Sequence, residues 1–181
     1  NKLSDDDFPI NKAGFIIHSA IHQARPKDLH CVMHSHEVNS QTLAASKSKL
    51  IPLTQEGCQL YERVGYHEFN GIVLNDEEKE KLINAIGNEK HTLLMRNHGL
   101  ITAGPTAAWA FIRHQHFIRN AEVQLKLMAS NAEMSIISDN ILKHTREQFE
   151  GGSAQAGAKV RHPEWPAFWR LLDSLDEKWK Q

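Results

Sequence analysis

His34 and His36 are separated by one serine and close a short apolar run, LHCVMH from Leu29 to His34. Side chains two apart on a strand project to the same face, so an H-x-H pair at a strand end can offer two imidazole nitrogens to one divalent ion. Alone, the pair has an equally physical structural reading, as two rings that pack and hydrogen-bond. A third ligand decides between them. His98, in the string RNHGL, lies between an apolar run and a glycine, at a strand end where adjacent strands bring distant sequence together. Gly99 lets the backbone approach closely there. Three neutral nitrogens leave a cation its full charge and an open position, which suits Lewis-acid work.

The chain holds 12 histidines, so the others need sorting. His114 and His116 are also two apart, but on a predicted long helix, where such residues point nearly opposite ways, and they are read as surface or packing residues. His18 and His22, four apart on a helix, share a face and are read as packing rings.

The elements that must position the three histidines follow from hydrophobic spacing. Phe15, Ile17, Ile21 and Ala24 mark a helix over roughly 14–24, stopped by Pro26. A strand ends near His34, a short helix covers about 38–46, and 50–53 reads as a brief strand or extended segment. A helical turn follows over 56–61, a strand over 64–69, and Asn70-Gly71 makes a turn. Asn75 caps a helix that Gly87 closes. Strands over 91–96 and 100–103 flank the Asn97-His98-Gly99 turn. Pro105 opens a long amphipathic helix running to about Ser130. The glycine-rich stretch 151–159 reads as a flexible connector to a helical tail, 163–181, carrying Trp165, Phe168, Trp169, Leu172 and Leu175. Packing of that tail within its own core is the simplest expectation.

At 181 residues, one domain spanning 1–181 is expected. A formal net charge of -1 with scattered charges disfavours nucleic acid and anionic membranes as partners. No apolar run reaches the roughly 20 residues of a membrane helix, and NKLSDDDFPIN lacks a secretory pattern, so a soluble cytoplasmic protein is expected. The start without methionine suggests that upstream sequence is not included. Cys31 and Cys58 could form a bridge but are expected as reduced thiols, Cys31 as a small buried residue.

The strings NKAGFIIHSAIHQARPK, HCVMHSH, LIPLTQ, YHEFNGI and LLMRNHGLITAG, in this order and spacing, resemble the class II aldolase/adducin family over nearly the whole chain. The resemblance implies an α/β/α domain with a central, mainly antiparallel sheet flanked by helices. It also implies Zn2+, or another divalent ion such as Mn2+, Co2+ or Fe2+, held by His34, His36 and His98. The metal would act as a Lewis acid in a lyase-like reaction on a small hydroxycarbonyl or sugar-derived substrate, through a stabilised enediolate. Symmetric homo-oligomers, commonly tetramers, are implied too. The phosphate-binding loops of the sugar-phosphate enzymes lie upstream of this region, and Arg25 and Arg96 are the anion contacts that can be named within it.

One departure stands out: the family's aldolases carry an acid/base glutamate where this chain has Gly14. Proton transfer, worth about 10²- to 10⁴-fold in rate, must then come from elsewhere, with Glu37, Glu56 and His67 (and its neighbour Glu68) as weak candidates. Glycine at this position is similar to the adducin-like branch, a non-catalytic, cytoskeletal scaffold type whose animal members lack the metal histidines. The chain thus resembles an adducin-like branch that retains them, and a scaffold with a leftover metal site is the alternative.

Overall fold

The computed structural model describes residues 9–72, 76–155 and 162–175. Helix α1 (Lys12–Ala24) begins where the Asn11 side chain accepts from the Gly14 amide at 3.0 Å, an N-cap that starts it two residues before the apolar spacing does. Strand β1 (Cys31–Ser35) is followed by α2 (Val38–Ala45), a 3-10 turn (Glu56–Leu60) and β2 (Val64–His67). Helix α3 (Asp76–Ile86) ends at Gly87, whose φ of 55° supplies the left-handed residue a helix C-terminus needs. The expected Asn75 cap lies outside the described residues. Strands β3 (Thr92–Met95) and β4 (Gly99–Gly104) follow, then α4 (Ala107–Ser130), α5 (Asp139–Gln155) and α6 (Trp165–Leu175).

The four strands run in the order β1-β4-β3-β2. Pairings β1/β4 and β4/β3 are antiparallel and β3/β2 is parallel, so the sheet is mainly antiparallel as expected. One face, with Leu93, Met95, Ile101 and Ala103, packs on α1 and α3 through Ile17, Ile21, Leu82 and Ile86. The other, with Leu94 and Leu100, packs on α2 and α4 through Leu43, Phe117 and Ala121. Helices on both faces make the three-layer α/β/α arrangement.

One open alternative is resolved and three sequence expectations need correction. The segment 50–53 joins no strand, because its backbone is satisfied by side chains of α4: Asn120 Oδ1 accepts from the Leu53 amide at 2.9 Å, and its Nδ2 donates to the Ile51 carbonyl at 2.8 Å. Gln124 Oε1 accepts from the Ile51 amide at 2.8 Å and its Nε2 donates to the Lys49 carbonyl at 2.9 Å, so this extended strap needs no strand partner. Secondly, the connector placed at 151–159 is helical through Gln155, as the end of α5; 156–161 lie outside the described residues. Helix α5 was not anticipated, since it docks partly by charge, with Arg146 paired to Glu62 and Glu150 2.9 Å from Arg63. Thirdly, α6 contributes no buried residue: Trp165 and Phe168 meet Phe111 edge-on, while Trp169 and Leu175 stay exposed. Finally, both cysteines are free thiols, but the buried one is Cys58, with Cys31 partly exposed. Among the described residues, no helix is long and apolar enough to cross a membrane.

Candidate metal centre

His34 and His36 sit at the C-terminal end of β1, and the antiparallel register sets His34 opposite Ile101 and Ser35 opposite Leu100. The turn from β3 to β4 passes through Asn97 at φ 54°, a left-handed conformation that asparagine tolerates, and Met95 faces Gly99 across it. This folds His98 over the end of β1. A side chain at Gly99 has no room, because a Cβ would lie 2.4 Å from the Ser35 carbonyl oxygen and 2.9 Å from His36 Cδ2. The glycine is therefore the space into which two imidazoles pack.

The three rings meet pairwise edge-on with centroids 4.8 to 4.9 Å apart. One ring nitrogen from each lies within 4.8 Å of the others, a set that could hold one metal ion. Nitrogens on a tetrahedral zinc lie about 3.3 Å apart, given Zn–N bonds of about 2.0–2.1 Å, and His34 Nε2 is 3.0 Å from His36 Nε2. Tautomers fit as well. His34 Nδ1 lies 3.0 Å from the Leu100 carbonyl, which only accepts, so Nδ1 carries the hydrogen and Nε2 keeps its lone pair. Burial, reinforced by the neighbouring His98 and His36 and opposed by the Leu100 bond, lowers His34 to about 4. Burial, with His36 and His67 nearby, also lowers His98. Both are neutral near pH 7, the form that ligates.

These imidazoles line a cleft of about 390 Å³ whose other walls include Asn11, Gly14, Ile17, Phe69 and Ile72. Gly14 thus occupies the wall where the resemblance places a glutamate. Asn11 supplies a polar edge, and the exposed Phe69 and Ile72 an apolar rim, which two large apolar residues beside an Asn-Gly turn could have signalled. Among the described residues no carboxylate lines the cleft. Glu37 is spent as the N-cap of α2, accepting from the Ser40 amide at 3.0 Å. Glu56 opens the 3-10 turn and Glu68 is exposed after β2. His67 is buried against Glu78, with Nε2 to Oε2 at 3.2 Å.

Histidines outside the cluster make structural contacts at several positions. His22 Nδ1 lies 3.0 Å from the Leu29 carbonyl. His114 and His116 point different ways, as helix geometry requires, yet both are buried: His114 lies against Ser35 and Thr102, His116 against Gln59. Arg96 donates to the Ser46 and Ser48 carbonyls and lies over Tyr66. Arg25 pairs with Asp28. A larger cleft, about 910 Å³, lies at the opposite end of the sheet, where Arg25, Arg63 and Arg113 are interleaved with Asp28, Glu89 and Glu150. Its charges largely match one another.

The family described as Class II Aldolase and Adducin N-terminal domain matches residues 1–125. The chain belongs to this family. Among curated class II aldolase and adducin relatives, a Pseudomonas aeruginosa protein provisionally named an aldolase class 2 protein is 33% identical over 180 residues, covering 99% of this chain and 69% of the relative. Alpha-adducin of Rattus norvegicus is 31% identical over 174 residues, which are 92% of this chain and 23% of the adducin. Among solved structures, an aldolase II superfamily protein from Pseudomonas syringae superposes with a TM-score of 0.74 at 32% identity, covering 91% of this chain and 62% of that one. L-fuculose 1-phosphate aldolase from Glaciozyma antarctica gives a TM-score of 0.67 at 27% identity over 77% of this chain and 52% of that one. This class II aldolase-type chain thus spans about a quarter to two thirds of these proteins. Class II aldolases are divalent-metal dependent, and here the strand-end imidazoles form a set with the right donors for such an ion.

Proposed function

We propose that the chain is the metal-binding part of a divalent-metal-dependent, lyase-like enzyme acting on a small hydroxycarbonyl or sugar-derived substrate, with Zn2+, or Mn2+, Co2+ or Fe2+, held by His34, His36 and His98. The observation that carries the reading is the convergence of three imidazoles, from two distant segments, within 4.8 Å in an open cleft. Bound there, the ion supplies Lewis-acid chemistry that lowers the cost of enediolate character in a substrate carbonyl. His34 presents Nε2 because its Nδ1–H is committed to Leu100. Phe69 and Ile72 give the cleft an exposed apolar rim, and Asn11 offers it a polar side chain. Glu37, Glu56 and His67 are the groups to test for proton transfer, since Gly14 brings none. A homo-oligomer, a tetramer by preference, and a cytoplasmic setting belong to the same reading. The named activity of the Glaciozyma relative makes sugar-phosphate cleavage the first substrate class to try.

Gly14 supports a second reading. A cleft lined by no carboxylate among the described residues, in a chain 31% identical to alpha-adducin, fits a non-catalytic, cytoskeletal scaffold domain with a retained metal site. Elemental analysis of protein purified without added metal, followed by a screen of hydroxyacids and sugar phosphates, separates the two. Stoichiometric metal with turnover supports the enzyme; metal without turnover on any substrate supports the scaffold; no metal refutes the shared site. His34→Ala and His98→Ala are expected to abolish metal uptake with little change in the circular dichroism spectrum, and unchanged occupancy in both overturns the ligand assignment.

A further inference from the structure

We propose that His114 is a positioning residue for the candidate metal centre, holding the H-x-H segment in its ligating orientation through the hydroxyl of Ser35. The inference rests on the reading of His34, His36 and His98 as ligands and adds a residue on a different element, α4, to the site.

The hydrogen bonds form a row in which each proton has one place. Thr102 Oγ1 lies 2.8 Å from the Ala110 carbonyl, which only accepts, so the threonine hydrogen is spent there. Thr102 Oγ1 can then only accept from His114 Nδ1, at 3.0 Å, so Nδ1 bears the ring hydrogen. Nε2 of the neutral ring is left with a lone pair, and Ser35 donates to it at 2.6 Å. The row runs from Ser35 through His114 and Thr102 to Ala110. His114 is 3% exposed, and burial, with His34 nearby, lowers it to about 4, so the ring is neutral over the working range.

Ser35 is the residue between the two ligands. Its side chain points to the α4 face while His34 and His36 point to the α1 face, as alternation on a strand demands. Tethering Ser35 fixes how far β1 can rotate about its own axis, and that rotation aims both imidazoles. His34 has a second restraint in the Leu100 carbonyl. His36 lies beyond the last paired residue of β1, and among the described residues its ring has no hydrogen bond except to His34. The Ser35 tether is therefore its nearest anchor to the sheet and α4.

Outer partners of metal ligands typically alter affinity about 10- to 100-fold when removed. The test titrates the full chain with Co2+, reading the d–d absorption bands, and competes Zn2+ against a chelator. The variants are Ser35→Ala, Thr102→Val, His114→Gln and His114→Phe, with thermal unfolding of each metal-free protein as the parallel measurement. Ser35→Ala and Thr102→Val are expected to weaken Co2+ binding by about 10-fold or more and to change the band intensities, although neither removes a ligand. His114→Gln, whose amide oxygen can accept from Ser35, is expected to recover part of the affinity that His114→Phe loses. A merely structural role lowers the melting temperature of the metal-free variants while leaving Co2+ affinity and spectrum at wild-type values, and that result overturns the proposal. Wild-type protein that takes up no Co2+ sinks the metal reading and this role together; wild-type uptake matched by Ser35→Ala sinks the role alone.

Discussion

Adding one carbon at Gly99 strains the strand crossing that carries the metal centre. The Cβ of Gly99→Ala would sit 2.4 Å from the Ser35 carbonyl oxygen, 2.9 Å from His36 Cδ2 and 3.4 Å from His34 Cε1. Side-chain carbons essentially never approach nearer than 3.0 Å, so the end of β1 and the start of β4 must part by roughly 0.6 Å. Overpacking of a rigid site costs about 1–3 kcal/mol. Gly99 is not among the positive-φ glycines, so alanine also stiffens the unfolded chain, a gain of about 0.4–1 kcal/mol that offsets part of the loss. The steric contribution wins because the atom in the way is backbone. A net loss of about 1–2 kcal/mol lowers the melting temperature by roughly 2–8 °C in a chain of this size. The same displacement separates the imidazoles, so Co2+ affinity is expected to fall about 10-fold or more. Gly151→Ala is the matched control: it meets nothing within 4 Å, lies in α5, and should stabilise by up to about 1 kcal/mol. Urea unfolding of the metal-free proteins and Co2+ titration read both effects. Gly99→Ala with wild-type stability and affinity would refute the claim that close approach, rather than turn conformation, requires this glycine.

Asn120→Leu removes the bonds to the Leu53 amide and Ile51 carbonyl, leaving both unpaired, and should cost about 2–5 kcal/mol in urea unfolding; a loss below about 1 kcal/mol would show that the strap is held by other contacts. Acid should destabilise the metal-free protein, because His114 and His162, lowered to about 4 mainly by burial, bind fewer protons folded than unfolded between that value and the ordinary imidazole value of about 6.5. Their contribution is complete above about pH 6.5 and is lost as the pH falls through about 4, with roughly 3 kcal/mol as the ceiling for His114; a His114→Gln profile as steep as wild type below pH 6 would contradict the assignment. Gly14→Glu should fold normally, since its Cβ meets only Asn11 side-chain atoms at 3.7 to 3.9 Å, and should bring a carboxylate to the cleft and tighten Co2+ binding. Unchanged cobalt affinity in that variant would mean that the α1 terminus does not face the ion.

The imidazole cluster was legible because each part of its signal is local: a strand-end H-x-H, a histidine in a turn, and a glycine beside it. The boundaries of α1, α2 and α4 were legible to within two residues, with Pro26 and Pro105 marking ends that apolar spacing leaves open. The strap at 49–54 was legible only as a choice between a strand and an extended segment. Its apolar residues match a strand, and only the buried amides of Asn120 and Gln124, about 70 residues away, reveal that its hydrogen bonds go elsewhere. Helix α5 escaped because ion pairs through Arg146 and Glu150 replace much of an apolar stripe. The burial of His114 and His116 is equally invisible to periodicity, since both rings are satisfied by hydroxyl, amide and carboxylate partners that only tertiary packing supplies.

Helix α4 holds unlike pieces of the chain with successive polar side chains: Arg113 the end of β4, His114 the ligand-bearing strand, His116 the 3-10 turn, and Asn120 and Gln124 the strap. Such a spine cannot loosen piecemeal, because releasing any one partner strands a buried donor or acceptor. Amide protons along its middle should therefore exchange with solvent only when the whole domain opens, while those of α6, which has no fully buried residue, exchange through small local excursions. Helix α6 leans on α4 through Trp165 and Phe168 against Phe111, so it can adapt to a neighbour while the spine, one layer further in, keeps the ligand-bearing strand in place.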